Sequence, residues 1–398
     1  MNIIERSLLR LSWTLILFVV LLSIVWGGTT LLRIISPEVY SDTRDWARVL
    51  RTKHLRPNHK YRFLEIHPEY GKIDANAILR VRTVHEIRQA REALTRVIWS
   101  NGKFPNELYP TTVKEKIQDP IFSKLETRVS SGSSEKVALV ENINELVHQT
   151  YPGFVSKAYH IVPTRRNGSL VIYHEGNTGS FHRSAHVLQA FLEEGFEVLA
   201  FSMWIIDHKP IVEVSGAGSL QIIGHSFLQF IDDPLRVYID PLVAGLNKLA
   251  TEREYEQIIA VGFSGGGWVI TVLAALDPRI QLSYPVAGSY PLYLRRFRNW
   301  STWQETWPPL ISATNYLDLY VMATDGPGRR QVQVLNQFDG CCYSGLDWQT
   351  YAEVVRSAAK KVGGGGWNIF VDITHADHRL SEVGLRAILD DINASSVQ

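Results

Sequence analysis

From about residue 135 onward, short apolar runs alternate with longer segments whose apolar positions recur at helical spacing. LVIYHEG (170–176), FEVLAFSMW (196–204), IIAVGF (258–263), QLSYPVAGSYP (281–291), VQVLN (332–336) and WNIFVDI (367–373) read as strands. Between them, RSAHVLQAFLEEG (183–195), DPLRVYIDPLVAGLNKLA (233–250), WVITVLAAL (268–276), DWQTYAEVVRSAAKKV (347–362) and EVGLRAILDDI (382–392) read as helices. Gly195 closes the first of these, Pro241 kinks or restarts the second, and Asp277-Pro278 ends the third. Near-continuous apolar strands are the mark of strands buried on both faces. The pattern therefore predicts an α/β class, with a mostly parallel sheet covered by helices on both sides. NYLDLYVMATDGPGRR (315–330) fits either period. Leu317, Tyr320, Val321 and Thr324 share one helical face, and Thr314 or Asn315 can cap its start, so a helix is expected.

The first third of the chain is patterned differently. VHEIRQAREALTRVIW (84–99) has helical periodicity with a charged face, SNGKFPNELYP (100–110) breaks it, and RVSSGSSEK (128–136) is a polar separator. Leu11–Leu32 carries no charge. As a helix it would be roughly 33 Å long, enough to cross the hydrocarbon core. It is longer than a signal-peptide core and lacks a small-x-small cleavage site, so an uncleaved transmembrane anchor is expected. Arg6 and Arg10 precede it and Arg33 follows, which favours a single-pass topology with the main body on the non-cytoplasmic side. The organisation expected is a tail at 1–10, an anchor at 11–32, a stalk and partly helical extension at 33–134, and an α/β domain at 135–398.

Composition narrows the function classes. In 398 residues, 45% apolar residues are enough to bury a large core, which excludes a disordered chain. The net charge of +1 implies no nucleic-acid partner, and RRFR (295–298) reads as a solvated face. The two cysteines, Cys341 and Cys342, are adjacent, a spacing that predicts neither a disulfide framework nor a metal site.

The candidate chemistry lies in VGFSGGGW. Gly262-x-Ser264-x-Gly266 stands between a strand and a helix. A serine on such a sharp, strained turn projects its hydroxyl clear of the sheet, and glycines on either side avoid clashes with the neighbouring strand and helix. The Gly265 N–H then lies at a helix N-terminus, where developing negative charge is stabilised.

With that turn, residues 135–395 resemble the α/β-hydrolase superfamily, serine hydrolases of the esterase and lipase kind. The resemblance implies an eight-stranded, mostly parallel sheet and a Ser-His-Asp triad in the chain order Ser, acid, His. Ser264 matches the nucleophile. YHEGNTG (173–179) stands where the family carries an HG-type loop, so Glu175, Gly176 or Asn177 is expected to offer a second oxyanion N–H beside Gly265. After the last strand come His375 and His378. His378 is preferred as the base, because it precedes RLS and the final helix, similar to the family's H-x-I-S arrangement. The acid is Asp325 if 316–324 is a strand, or Asp339 if VQVLN is the strand. The order strand, short loop, acid, helix favours Asp339. The insertion at 207–232, with His225 and Phe230, and the aromatic stretch 291–309 are candidate lids or pocket walls. The function implied is a membrane-anchored serine hydrolase that cleaves an ester or related acyl bond, without metal or organic cofactor. The alternatives are a peptidase or amidase with the same triad, and a non-catalytic hydrolase-fold module at a membrane.

Overall fold

The computed structural model describes residues 63–395, apart from 120–121, 123–124, 126, 130–135, 178–180, 206–208, 215, 217, 296–301 and 363, together with Ala47, Val49 and Leu50. Its strands are β1 (Thr112–Lys114), β2 (Thr127–Val129), β3 (Lys136–Ala138), β4 (Val140–Tyr151), β5 (Phe154–Pro163), β6 (Leu170–His174), β7 (Glu197–Phe201), β8 (Ile211–Val214), β9 (Gly218–Gln221), β10 (Ile258–Phe263), β11 (Leu282–Val286), β12 (Arg330–Asn336) and β13 (Gly366–Asp372). Among the described residues, nine of them form one sheet in the order β1-β4-β5-β7-β6-β10-β11-β12-β13. β1, β4 and β5 pair antiparallel, as does β5 with β7. The strands from β7 across to β13 pair parallel. The sheet thus exceeds the expected eight strands by the short edge strand β1. The long β4–β5 hairpin, with its turn at Pro152-Gly153, was not among the strands read from periodicity.

The longer helices are α1 (Val84–Ile98), α2 (Phe181–Glu193), α3 (Arg236–Glu252), α4 (Gly265–Leu276), α5 (Tyr316–Met322), α6 (Ala352–Val362) and α7 (Glu382–Ser395). Side chains alternate across a strand, so each strand feeds two cores. Leu170 and Ile172 of β6 join a core made with α1, α3, α4, α5 and α6. Val171 and Tyr173 join a second core with α2 and α7 on the other face. α4 lies under the middle of the sheet and every one of its residues is buried. α3 runs through Pro241 without restarting. The 315–330 segment forms α5, started by a reciprocal box in which Asn315 accepts from the Asp318 N–H and Asp318 from that of Asn315.

Residues 63–114 of the expected extension pack directly on this body. Ile87, Leu94 and Ile98 of α1 are fully buried in the first core. Arg80 Nε lies 2.8 Å from Asp318 Oδ2, and Trp99 Nε1 donates to Asp240 Oδ1 at 2.8 Å.

One expectation is corrected. The transmembrane span at Leu11–Leu32 lies outside the described residues, and no described helix is long and apolar enough to cross a membrane. The longest, α3, has 17 residues and carries Arg236, Asp240, Lys248 and Glu252, whereas a span needs about 20 predominantly apolar residues. The fold class is accordingly the mixed α/β sheet with flanking helices. No described residue supports membrane anchoring, a single-pass topology or a non-cytoplasmic hydrolase domain, and these expectations are not carried further.

Candidate active site

β10 ends in the middle of the sheet, and the chain turns sharply at Ser264 into α4. Ser264 has φ 54° and ψ −121°, a left-handed conformation that a residue with a Cβ rarely adopts. Such a conformation costs on the order of 1–3 kcal/mol and persists only where its surroundings impose it. They do so here. Ser264 N–H donates to Val286 O of β11 at 2.8 Å, and its carbonyl accepts from Trp268 N–H at 3.1 Å. The turn closes only with glycines: a Cβ on Gly262 would stand 2.3 Å from Gly266 O, and one on Gly266 would stand 2.2 Å from His174 O.

Two loops reach this turn from the C-terminal ends of β12 and β13. Asp339 follows β12 and is fully buried. Its Oδ1 accepts from Cys341 N–H at 2.6 Å and Cys342 N–H at 3.3 Å, and its Oδ2 lies 2.6 Å from His378 Nδ1. An ionised carboxylate only accepts, so Nδ1 carries the proton and Nε2 is left as the acceptor. Nε2 lies 2.8 Å from Ser264 Oγ. The His378 ring rests against Phe263, centroids 4.7 Å apart.

The loop that carries His378 is anchored at both ends. Asp372, the last residue of β13, accepts from Thr374 N–H at 2.8 Å, from Thr374 Oγ1 at 2.6 Å and from Ser381 Oγ. Burial pushes its carboxyl up, but hydrogen bonds from His375, Ser381 and Thr374 outweigh burial and hold it well below the usual carboxylate range. Asn336 Nδ2 donates to Arg379 O at 2.8 Å, which ties the loop to the end of β12.

The structure therefore brings Ser264, Asp339 and His378 together and leaves the two alternatives apart. His375 is buried with Nε2 3.3 Å from Asp372 Oδ2. Asp325 precedes β12 and pairs with Arg91 Nη2 at 2.9 Å. The seven residues of β12, about 20 Å of strand, separate it from the end where His378 lies.

The 174–177 loop is more constrained than its sequence implied. Glu175 N–H is bonded to Phe201 O at 2.9 Å, and Gly176 N–H to Glu175 Oε1 at 3.1 Å. Neither is available to an incoming oxyanion, which corrects the expectation for those two positions. The N–H groups of Gly265 and Asn177 are bonded to no acceptor among the described residues. The loop hugs the turn, since a Cβ on Gly176 would lie 3.1 Å from Ser264 Cβ. His174 is stacked on Phe201 with Nδ1 2.8 Å from Glu175 O, and burial pushes its pKa down to about 4. It anchors the loop as a neutral ring.

Sequence reasoning missed two participants. The Glu175 carboxylate, buried at the cleft, takes Tyr173 Oη at 3.0 Å as well as the Gly176 N–H, and so holds the loop from inside. Its signal was a glutamate directly after the buried strand LVIYH. The second is the cysteine pair. Cys341 and Cys342 are joined by a disulfide, against the expectation that neighbours do not bridge. The gathering of both their N–H groups on Asp339 Oδ1 curls the chain and brings them together.

Ser264, His378, the cysteine pair, Asn177 and Arg379 line a cleft of about 450 Å³. No described residue of 207–232 or 291–309 lines it. His225 instead stacks on Tyr238, with Nδ1 2.6 Å from its hydroxyl.

No protein-family profile and no curated protein matches the sequence. Solved structures do. Methylesterase BT1017 aligns over 77% of this chain and 62% of its own length, at 15% identity and a TM-score of 0.52. This chain thus spans under two thirds of that protein. An acetyl xylan esterase from Paenibacillus sp. R4 aligns over 81% of this chain and 98% of its own, at 15% identity and a TM-score of 0.46. At such identity the likeness speaks for the fold, and together with the strand order and the turn at Ser264 it identifies the chain as an α/β-hydrolase fold.

Proposed function

We propose that the chain is a serine hydrolase that cleaves a carboxylic ester. One observation carries this reading: the hydrogen-bonded line from Asp339 through His378 to Ser264, which ends on a hydroxyl held at a positive-φ turn. Ser264 Oγ attacks the acyl carbon while its proton passes to His378 Nε2. Asp339 holds Nδ1–H and stabilises the imidazolium that forms. The oxyanion is held by the N–H groups of Gly265, at the start of α4, and of Asn177. His378 then returns the proton to the leaving alkoxide, and water repeats the sequence on the acyl-enzyme. A cleft of about 450 Å³ suits a small acyl group or the end of a larger substrate. The catalytic unit is 135–398, with 63–114 packed on it.

The test is covalent labelling with a fluorophosphonate, with p-nitrophenyl acetate turnover measured in parallel. Label on the peptide that contains Ser264, together with ester turnover, is the expected result. Folded protein that takes no label, or takes it elsewhere, sinks the reading. Anilide cleavage as fast as ester cleavage would move it to the amidase alternative.

Gly265→Val tests the oxyanion site. A Cβ there would stand 2.1 Å from Asn177 Oδ1, so the side chain must push Asn177 and its loop away. Turnover is expected to fall about 10²-fold, the usual loss of one oxyanion donor, with a cooperative melting transition retained. Folded protein with wild-type kcat would exclude this role for Asn177.

A further inference from the structure

The cleft wall carries a feature that ester hydrolysis does not use. Cys341 and Cys342 lie just beyond Asp339, line the same cleft as Ser264 and His378, and are disulfide-bonded. Cys341 is exposed and Cys342 half-buried. Their two sulfurs and a ring nitrogen of His378 lie within 4.8 Å of one another. We propose that, once this disulfide is reduced, Cys341, Cys342 and His378 form a site for a soft divalent cation of the zinc type, and that the ion silences hydrolysis. The second half rests on the reading of His378 as the general base.

The chemistry balances without further partners. A small dithiol passes two electrons and two protons to the Cys341–Cys342 bond and itself closes to a disulfide. Each cysteine thiol then loses its proton as a metal–sulfur bond forms. Thiolate sulfur and imidazole nitrogen are the donors zinc prefers, at about 2.3 and 2.0–2.1 Å, and three protein ligands leave a fourth position for water. Ligand atoms around a tetrahedral zinc of those bond lengths stand roughly 3.4–3.8 Å apart. Reduction lets the two bonded sulfurs part to that spacing, and side-chain rotation brings the sulfur–nitrogen separations, now within 4.8 Å, toward it.

His378 makes the site inhibitory whichever nitrogen is used. Nδ1 is bound to Asp339 and Nε2 to Ser264. An ion on Nε2 takes the lone pair that accepts the Ser264 proton. It also leaves Nδ1–H on Asp339, the carboxylate–histidine–metal pattern in which the outer carboxylate orients the ligand. An ion on Nδ1 displaces Asp339. The disulfide form cannot hold the ion in this way, because each sulfur is committed to the other and His378 is left as a single ligand. Oxidation state therefore decides whether the ion reaches the base.

The experiment uses the full chain, either air-oxidised or reduced with dithiothreitol and then freed of reductant under argon, with thiols counted by a chromogenic disulfide. Zinc uptake is read by equilibrium dialysis, cadmium uptake by thiolate-to-metal charge-transfer absorption, and ester turnover with and without zinc. The reduced chain is expected to take up a single zinc and lose at least about 10-fold in turnover, and the oxidised chain to do neither. His378→Ala is expected to weaken zinc uptake by at least about 10-fold, since loss of a mere outer partner of a metal ligand already costs about 10–100-fold, with the thiol count unchanged. C341S/C342S should bind no zinc, and its turnover ratio with and without zinc should stay near one. Equal uptake by both redox forms, no uptake by a chain with both thiols counted, or uptake without loss of turnover would each overturn the proposal. If no ester is turned over in either state, the hydrolase reading fails, while dialysis and absorption still decide the metal site.

Discussion

Ser264→Ala is expected to lower kcat for ester hydrolysis by about 10⁴- to 10⁶-fold and to abolish fluorophosphonate labelling, with the fold intact. The whole relay from Asp339 through His378 points at one oxygen, 2.8 Å from Nε2. Without that oxygen no acyl-enzyme forms, and His378 has only a water to activate. A residual rate from the oxyanion donors alone is expected, since such sites retain some catalysis after loss of the nucleophile. The substitution removes one atom at a position already at positive φ, so the main-chain bonds to Val286 and Trp268 should survive. A drop below 10-fold would mean that Ser264 is not the nucleophile.

Asp339→Asn should lower kcat by about 10⁴-fold, and Asp325→Asn by no more than a few-fold. The reason is the tautomer. Cys341 and Cys342 N–H groups both donate to Oδ1 of Asp339, so an asparagine there must turn its carbonyl oxygen toward them. Its NH₂ is then forced onto His378 Nδ1, which must become an acceptor. Nε2 would carry the proton instead, and the ring could no longer accept from Ser264. Asp325, mostly buried and paired with Arg91 at the far end of β12, has no comparable link to the ring. Its loss should cost only about 1 kcal/mol of stability, as for a partly exposed ion pair. Equal losses from the two variants would contradict this assignment of the acid.

Much of this arrangement was legible in the chain because its physics is local. IIAVGF followed by FSGGG announces a buried strand that stops at a turn needing glycine. VQVLN followed by NQFDG announces an acid just beyond a strand. What was not legible depends on partners distant in sequence. β4 and β5 lacked a clean alternation because polar residues on them are buried by pairing: His160 Nε2 lies 2.8 Å from Glu197 Oε2, and Lys114 Nζ reaches Glu145. The polar, proline-containing stretch 37–75 suggested a stalk, yet among the described residues from 63 onward Tyr70, Ile87, Leu94 and Ile98 are buried in the first core. No spacing rule could reveal that the N–H groups of Glu175 and Gly176 are spent within their own loop. Arg329 is another such case. It is buried and donates to carbonyls of Ile280, Ala274 and Asp325, a clamp at the base of α4 that looks from sequence like an ordinary surface arginine.

The first described residues of the continuous chain have a mechanical consequence. Phe63 packs against Phe338, immediately before Asp339, with ring centroids 6.2 Å apart, and its carbonyl accepts from Gln337 Nε2 at 2.8 Å. His67 N–H donates to Asp347 at 3.1 Å. The stretch from Phe63 to His67 thus braces the acid's loop from outside the sheet's hydrogen-bond ladder. Loosening that brace, as by Phe63→Ala, would free the loop of Asp339 without breaking the strands, and so would misalign the imidazole before it unfolded the sheet.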